Sequence, residues 1–188
     1  MSEKMDRRKK YTRKVLKDSL MTLLKEKPIS TITVKELCKL ADVNRSTFYA
    51  HYTDHFDLLD QVEDEIIEEM NRYLSGYNFE QEKEALQMTI KLLEYFSTKH
   101  DECRTLLNEN GNSSFEKKVK TVAHRFLMKN WMEINNLDKE LSNYLSAFIV
   151  SGSIQMMKMW LFNGMDKPPK EMAEIINNLI NNGLLSVR

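Results

Sequence analysis

Chain breakers are scarce: 188 residues contain 5 Gly and 3 Pro. Most of the remainder carries helical periodicity, so the first expectation is a long all-α chain. Only two cysteines occur, Cys38 and Cys103, far apart and without CxxC spacing. They are expected to be reduced thiols, Cys38 as a small core residue. No run of about 18 apolar residues is evident, so no membrane span is expected. The N-terminus is charged and lacks the apolar core of an export signal, which points to a cytoplasmic protein. Catalytic signatures are missing as well. There is no glycine phosphate loop, no metal triad, and no Ser or Cys nucleophile with a His and an acid at known spacing. No cofactor is expected. Excess charge is absent too, since 28 Lys/Arg balance 28 Asp/Glu.

That balance conceals a segregation. Residues 1–55 hold 13 Lys/Arg and 7 Asp/Glu, a net of +6. Residues 56–102 hold 4 and 13, a net of −9, and residues 103–188 hold 11 and 8, a net of +3. A basic head followed by an acidic middle is expected when only the head meets a polyanion. Hydrophobic residues at 41% and charged residues at 30% fit a globular chain of one large or two small domains.

The basic charge concentrates at the start. Eight cations lie between Lys4 and Lys17, against one acid, Asp6. The same stretch opens a helix to about Lys25, with Val15, Leu16, Leu20, Leu23 and Leu24 as its apolar stripe and Pro28 as its stop. Thr33 then caps a second helix, and Glu36 three residues later completes a capping box. Leu37, Cys38 and Ala41 supply that helix's inner face, and Asp42-Val43 makes a turn. Asn44 caps a third helix, Arg45 to Tyr52, with Phe48 and Tyr52 inward and Arg45, Thr47 and Tyr49 outward. Two short helices with a polar outer face on the second suit a major groove. Arg carries a donor fork for guanine, Thr a hydroxyl and methyl, and Tyr a hydroxyl for phosphate. A helical hairpin with a merely wet face has the same pattern. His51 and His55 have metal-ligand spacing, but no third ligand stands near them.

Residues from about 10 to 60 resemble the DNA-binding domain of the TetR family of bacterial transcriptional regulators. The pattern is Ile32-Thr33-Val34, Leu37-Cys38, Ala41-x-Val43, Phe48-Tyr49-x-His51-Tyr52 and Asp57-Leu58-Leu59. The resemblance implies a three-helix head, residues 1–56, on a helical ligand-binding and dimerisation domain, residues 57–188, about nine helices in all. It also implies Thr33 on a phosphate and Arg45, Ser46, Thr47, Tyr49 and His51 at or near the DNA; the expected DNA-contacting set adds Lys35, Asn44, Tyr52 and His55. Three positions depart from the family pattern: Asp42 and Ser46 stand where Gly is frequent, and His55 where a Lys is expected.

Beyond the head, Asp54 can cap a helix to about Leu74. Its inner stripe would be Phe56, Leu59, Val62, Ile66 and Met70, with Asp60, Glu63, Asp64, Glu65, Glu68 and Glu69 outside. Further helices are expected from Glu80 to His100, through Leu106 and Leu107, from Ser113 or Ser114 to Asn135, and from Leu137 to Asn163. A last helix follows Pro168-Pro169. The segment 137–163 is apolar on more than one face, and Gly164 fits a C-terminal cap. On the last helix Met172, Ile175, Ile176, Leu179 and Ile180 make an apolar stripe that needs a cover. The surplus suggests a homodimer through the last two helices, as the resemblance also implies. The ending Trp160-Leu161-Phe162-Asn163-Gly164-Met165 resembles a C-terminal domain common among Firmicute members of the family. Candidate wall residues for a small-molecule effector pocket are Met88, Tyr95, Phe96, Met128, Trp131, Met132, Met156 and Trp160, although Met at helical spacing is more often ordinary core. The function so implied is a dimeric, ligand-responsive regulator, most simply a repressor, on double-stranded palindromic operator DNA. A helix-turn-helix adaptor acting through protein contacts and a small helical enzyme are the alternatives.

Overall fold

A computed structural model describes residues 2–75, 82–108, 110, 114–135 and 139–185, and the side chains of 7–75, 86–108, 110, 114–125 and 140–183. Among the described residues there are nine α-helices and no strand: α1 (Ser2–Glu26), α2 (Val34–Leu40), α3 (Arg45–Tyr49), α4 (His55–Ser75), α5 (Glu82–Thr98), α6 (His100–Leu107), α7 (Ser114–Asn135), α8 (Lys139–Phe162) and α9 (Pro169–Leu185). One 3-10 turn, Ile29–Thr31, precedes α2. The expectations at Gly76–Asn78, Gly111–Asn112, Ser113 and Asn136 fall outside the described residues. So do the side chains of Ala85, Phe126, Met128, Trp131 and Met132. The chain divides into two compact units, Met1–Ile66 with Thr105–Phe115, and Ile67–Arg104 with Glu116–Arg188.

In the first unit Leu16, Leu20 and Leu24 line one side of α1 and are fully buried, together with Leu37, Phe48 and Leu58. Each such side chain contributes about 1.5–3 kcal/mol of transfer free energy. Val15 and Leu23 are only half-buried, and Thr12, Ser19 and Met21 are buried in their stead. Asn110 ties the second segment of this unit to α1. Its carbonyl accepts from the Ile29 amide at 3.0 Å and its side-chain amide donates to the Leu24 carbonyl at 3.3 Å. On α4, Asp54 accepts from the Asp57 amide at 2.9 Å, so it caps the helix as the sequence predicts. Two side chains of α4 differ from expectation. Glu63 is 1% exposed, because it shares the stripe of Ile66 and Met70 at three- and seven-residue spacing; its Oε1 accepts from the Ser114 hydroxyl at 2.7 Å. Phe56 is 44% exposed and stacks on His55 in the first turn, where Leu58 and Leu59 supply the buried side instead.

The α2–α3 turn depends on Asp42, whose φ is +51°. The Val43 amide donates to the Cys38 carbonyl at 3.0 Å, closing a Schellman-type end on α2. The left-handed region is unfavourable for a residue with a Cβ, and a carboxylate there also faces the negative end of the helix dipole.

In the second unit α9 packs chiefly along α5 and more lightly on α8. Of the apolar stripe, Met172 and Ile176 are thereby buried and Ile175 and Ile180 half-buried, while Leu179 remains exposed; Ala173 is buried beside them. On α5, Ile90 and Leu93 are buried alongside Tyr95 and Phe96, while Met88 and Leu92 are half-buried. Burial pushes the Cys103 thiol up to about 12, which leaves it inert. Lys158 and Glu116 join α8 to α7 at 2.6 Å, and Lys99 and Glu69 join α5 to α4 at 3.1 Å. Gly164 ends α8 at φ +79°, with the Met165 amide donating to the Trp160 carbonyl at 2.8 Å.

α8 carries more apolar surface than the unit covers. Ile149, Val150, Ile154, Met157, Trp160 and Leu161 are buried, while Tyr144, Phe148 and Met159 are exposed, Phe148 by 79%. By length and composition Glu140–Phe162 is apolar enough to cross a membrane, at a mean hydropathy of 1.3, although Ser, Asn, Gln, Gly and Lys interrupt it; a core helix of a soluble protein has the same composition, and 39% of that window is buried within the chain.

Replacing Asp42 by Gly removes both the left-handed penalty and the dipole clash, offset in part by the greater freedom of glycine in the unfolded chain. Asp42→Gly is expected to stabilise the protein by about 0.5–1 kcal/mol, and Asp42→Ala to destabilise it, in denaturant titrations.

Candidate nucleic-acid interface

The start of α2 is built by a compact polar cluster. Thr33 and Glu36 make a reciprocal capping box: the Glu36 amide donates to Thr33 Oγ1 at 3.2 Å, and the Thr33 amide donates to Glu36 Oε2 at 3.0 Å. Lys27 Nζ reaches Glu36 Oε1 at 2.6 Å. These contacts, Lys27 first and Thr33 next, hold the Glu36 carboxyl at about 2. The Thr33 hydroxyl proton is directed to Glu36 Oε2 at 2.8 Å, so it is already engaged. Lys35, one turn position further on, is exposed.

α3 is shorter than expected. The α-helix stops at Tyr49, and Ala50, His51 and Tyr52 close it in a tightened turn, with the His51 amide donating to the Phe48 carbonyl at 2.9 Å. Asn44 stands at the N-cap position, but its side chain makes no capping bond. Phe48 anchors the element from beneath, its ring 5.5 Å from Tyr49 and 5.6 Å from Tyr52. Thr33, Lys35, Asn44, Arg45, Ser46 and Tyr49 are exposed, and Thr47 and His51 half-exposed. Tyr52 is a correction: it is buried as core, and burial pushes its hydroxyl above the ordinary tyrosine value, with Arg13 nearby opposing the shift. His55 is half-buried with Nε2 enclosed, so that nitrogen is not presented outward.

Sequence reading missed a chain of polar contacts behind α3. Asp57 accepts from the Thr53 amide at 2.7 Å and from Gln61 Nε2 at 2.9 Å. The Thr53 amide first, then Gln61, hold the Asp57 carboxyl below the usual range. Gln61 Oε1 accepts from Arg13 Nη2 at 3.2 Å. Arg13 also pairs with Glu65 at 3.5 Å, and Glu65 with Lys17 at 3.5 Å. Arg13 and Glu65 lie in a wide cleft of about 940 Å³ with Arg7, Lys10, Lys14 and His51. No local signal could have joined α1 to α4 across 48 residues.

The described arrangement is a helix-turn-helix with a polar outer face beside a basic cleft. A family model described as a transcriptional regulator C-terminal region, of TetR type, matches residues 83–182. The chain belongs to the TetR family of transcriptional regulators. The HTH-type transcriptional regulator YxbF of Bacillus subtilis strain 168 is 34% identical over 59 residues, which are 31% of this chain and 16% of YxbF. The chain thus matches about a sixth of that relative's length. Among solved structures, a TetR transcriptional regulator from Streptococcus agalactiae 2603V superposes with a TM-score of 0.75 at 21% identity, covering 96% of this chain and 99% of its own. NalD of Pseudomonas aeruginosa, the secondary repressor of the MexAB-OprM multidrug efflux pump, gives 0.65 at 15% identity over 93% and 97%. These likenesses show the all-α TetR fold. The family's members are transcriptional regulators, not enzymes, which removes the helical-enzyme alternative.

Of the described side chains read as effector-pocket walls, Met88 alone lines an apolar cavity in the second unit, with Met70, Leu74, Leu93, Val119 and Met157 among its neighbours. Met156 borders a separate surface groove, between α8 and α9. Tyr95 and Phe96 are buried outside both linings. So is Trp160, whose Nε1 donates to the Lys167 carbonyl at 2.8 Å and fixes the loop after α8. Met128, Trp131 and Met132 lie outside the described side chains.

The Glu36 carboxyl is held down in the folded state, so its contribution is present above the ordinary value of 4.5 and is lost as pH falls toward about 2. Thermal melts of wild type and Glu36→Ala are expected to differ at neutral pH and to converge across that acid window.

Proposed function

We propose that the chain is a ligand-responsive regulator that binds a palindromic operator as a homodimer and represses from it. Supporting this reading is the outward face of α3, where Arg45, Ser46, Thr47 and Tyr49 surround the buried Phe48 anchor beside the basic cleft. In this reading residues 1–56 are the DNA-binding domain and residues 57–188 the ligand-binding and dimerisation domain. Arg45 and Thr47 read base edges. Thr33, Lys35, Asn44, Ser46, Tyr49, His51 and the outer edge of His55 contact backbone. Two copies of α3 spaced about 34–36 Å apart would enter successive major grooves. NalD is named a repressor, which supports repression here by likeness of fold alone.

The dimer is supported by the uncovered apolar surface of α8 and α9. Tyr144, Phe148 and Leu179 are exposed, and a groove lined by Leu145, Gly152 and Met156 runs between the helices. A Cβ added at Gly152 would meet open space, so the surface there can accept a close neighbour. This reading assigns the apolar surplus of α8 to a second copy and not to a bilayer, and places the protein in the cytoplasm with its DNA.

The effector site is the cavity between Met70, Met88, Val119 and Met157. Its volume is about 100 Å³, and its polar side chains among the described residues are Thr89 and Ser153. Drug-sized ligands occupy roughly 300–1,000 Å³, so an effector of that size must widen it, which is how binding would shift the protein between two states. α4 contributes Met70 and Leu74 to this cavity and begins at His55 in the reading head.

Binding to DNA from upstream of the protein's own gene is expected to weaken steeply with salt. Arg45→Ala should cost about 1–3 kcal/mol against the best sequence and relax preference at one base pair. Equal weakening on all sequences would reduce Arg45 to a phosphate contact. No shift with that DNA, together with tight capture of a protein partner, would favour the adaptor reading. Phe148→Asp is expected to yield monomers in sedimentation experiments and to lose operator affinity.

A further inference from the structure

The cations of α1 do not all face the cleft unopposed. Glu65 on α4 stands between two of them, 3.5 Å from Arg13 Nη2 and 3.5 Å from Lys17 Nζ. Arg13 lines the cleft with Tyr52, just past the end of α3, and is hydrogen-bonded to Gln61. Arg13 and Glu65 are each 48% exposed, so neither is sealed away from an incoming anion. At these distances and exposures the pairs are weak, worth well under what a phosphate in a multidentate site can offer. We propose that Glu65 is an internal counter-anion that withholds Arg13 and Lys17 from the DNA backbone, and so sets the strength and salt dependence of sequence-independent binding. The inference rests on the reading of this head as a DNA binder.

Affinity for duplex DNA scales with the number of phosphates the protein neutralises, because each releases condensed counterions. A cation already neutralised from within contributes less. Holding down that term leaves discrimination to α3, since phosphate contacts carry no direct sequence information. A regulator that must leave non-operator DNA benefits from such restraint.

The test is Glu65→Gln in the full chain, with Glu65→Ala as a second variant. Binding to a random-sequence duplex is measured by fluorescence anisotropy across a salt series. Each variant is expected to bind that duplex roughly 3–10-fold more tightly at low salt, with the log–log salt slope steeper by about 1–2 per protomer. The ratio of operator to random affinity should fall, with the thermal midpoint near that of wild type. The gain should vanish in an Arg13→Ala/Lys17→Ala background, as a double-mutant cycle requires. Glu68→Gln, an equal charge change on the same helix at an exposed site, should not reproduce it. Unchanged or weaker binding by the Glu65 variants overturns the proposal. So does an equal gain from Glu68→Gln, or a gain that survives without Arg13 and Lys17. Wild-type protein that binds no duplex at any salt would defeat the DNA-binding reading itself and this inference with it.

Discussion

A five-residue helix cannot hold itself in water, because nucleation costs more than one turn of hydrogen bonds returns. α3 is that short, and it exists because Phe48 is fully buried beneath it. The rest of the first unit serves that burial. α1 offers an unbroken leucine stripe, α2 adds Leu37, and α4 adds Leu58 and Leu59. With Phe48 fixed from below, the opposite face of α3 has no choice of direction, and Arg45, Ser46 and Tyr49 face solvent. The side chains that could touch DNA are thus aimed by a residue that could not.

Charge is arranged around this frame with the same economy. Cations gather on α1 and acids on α4, and the two helices meet through Arg13, Lys17, Gln61 and Glu65. Where an acid lies close to a helix start it acts locally: Glu36 on α2 and Asp57 on α4 both accept backbone amides, and both carboxyls are held low, Glu36 by Lys27 first and Thr33 next, Asp57 by the Thr53 amide first and Gln61 next. Where it lies inside, as Glu63 does, a hydroxyl from Ser114 compensates part of its desolvation. The net charge of zero is therefore the sum of different local tasks and says little about partners.

The second unit is organised by apolar surface in excess. α9 covers α5, and α8 buries one face while Tyr144 and Phe148 stay outside. Polar groups act here as fasteners. Trp160 ties α8 to the following loop, and Lys99 bridges to Glu69, whose carboxylate together with burial keeps Tyr95 protonated. Among the described residues this unit also encloses a small apolar cavity bordered by the hydroxyls of Thr89 and Ser153.

The sequence by itself determined most of what depends on neighbours within about a turn, the missing Asn44 cap and the early end of α3 at Tyr49 being exceptions. Helix starts at Thr33 and Asp54, the left-handed Asp42, the stop at Gly164 and the basic head are all set by residues at most four positions apart. The periodicity of α1 and α4 likewise announced most of the buried side of those two helices. Tertiary structure alone decided which side of an ambiguous stripe faces inward. Glu63 went in and Phe56 out, Tyr52 became core, α9 found its cover in α5, and Trp160 became a fastener instead of a pocket wall. The pairing of Arg13 with Glu65, and with it the state of the basic surface around α3, depends on two helices far apart in the chain. Local rules act through covalent neighbours, and no spacing within one helix encodes what another helix will bring against it.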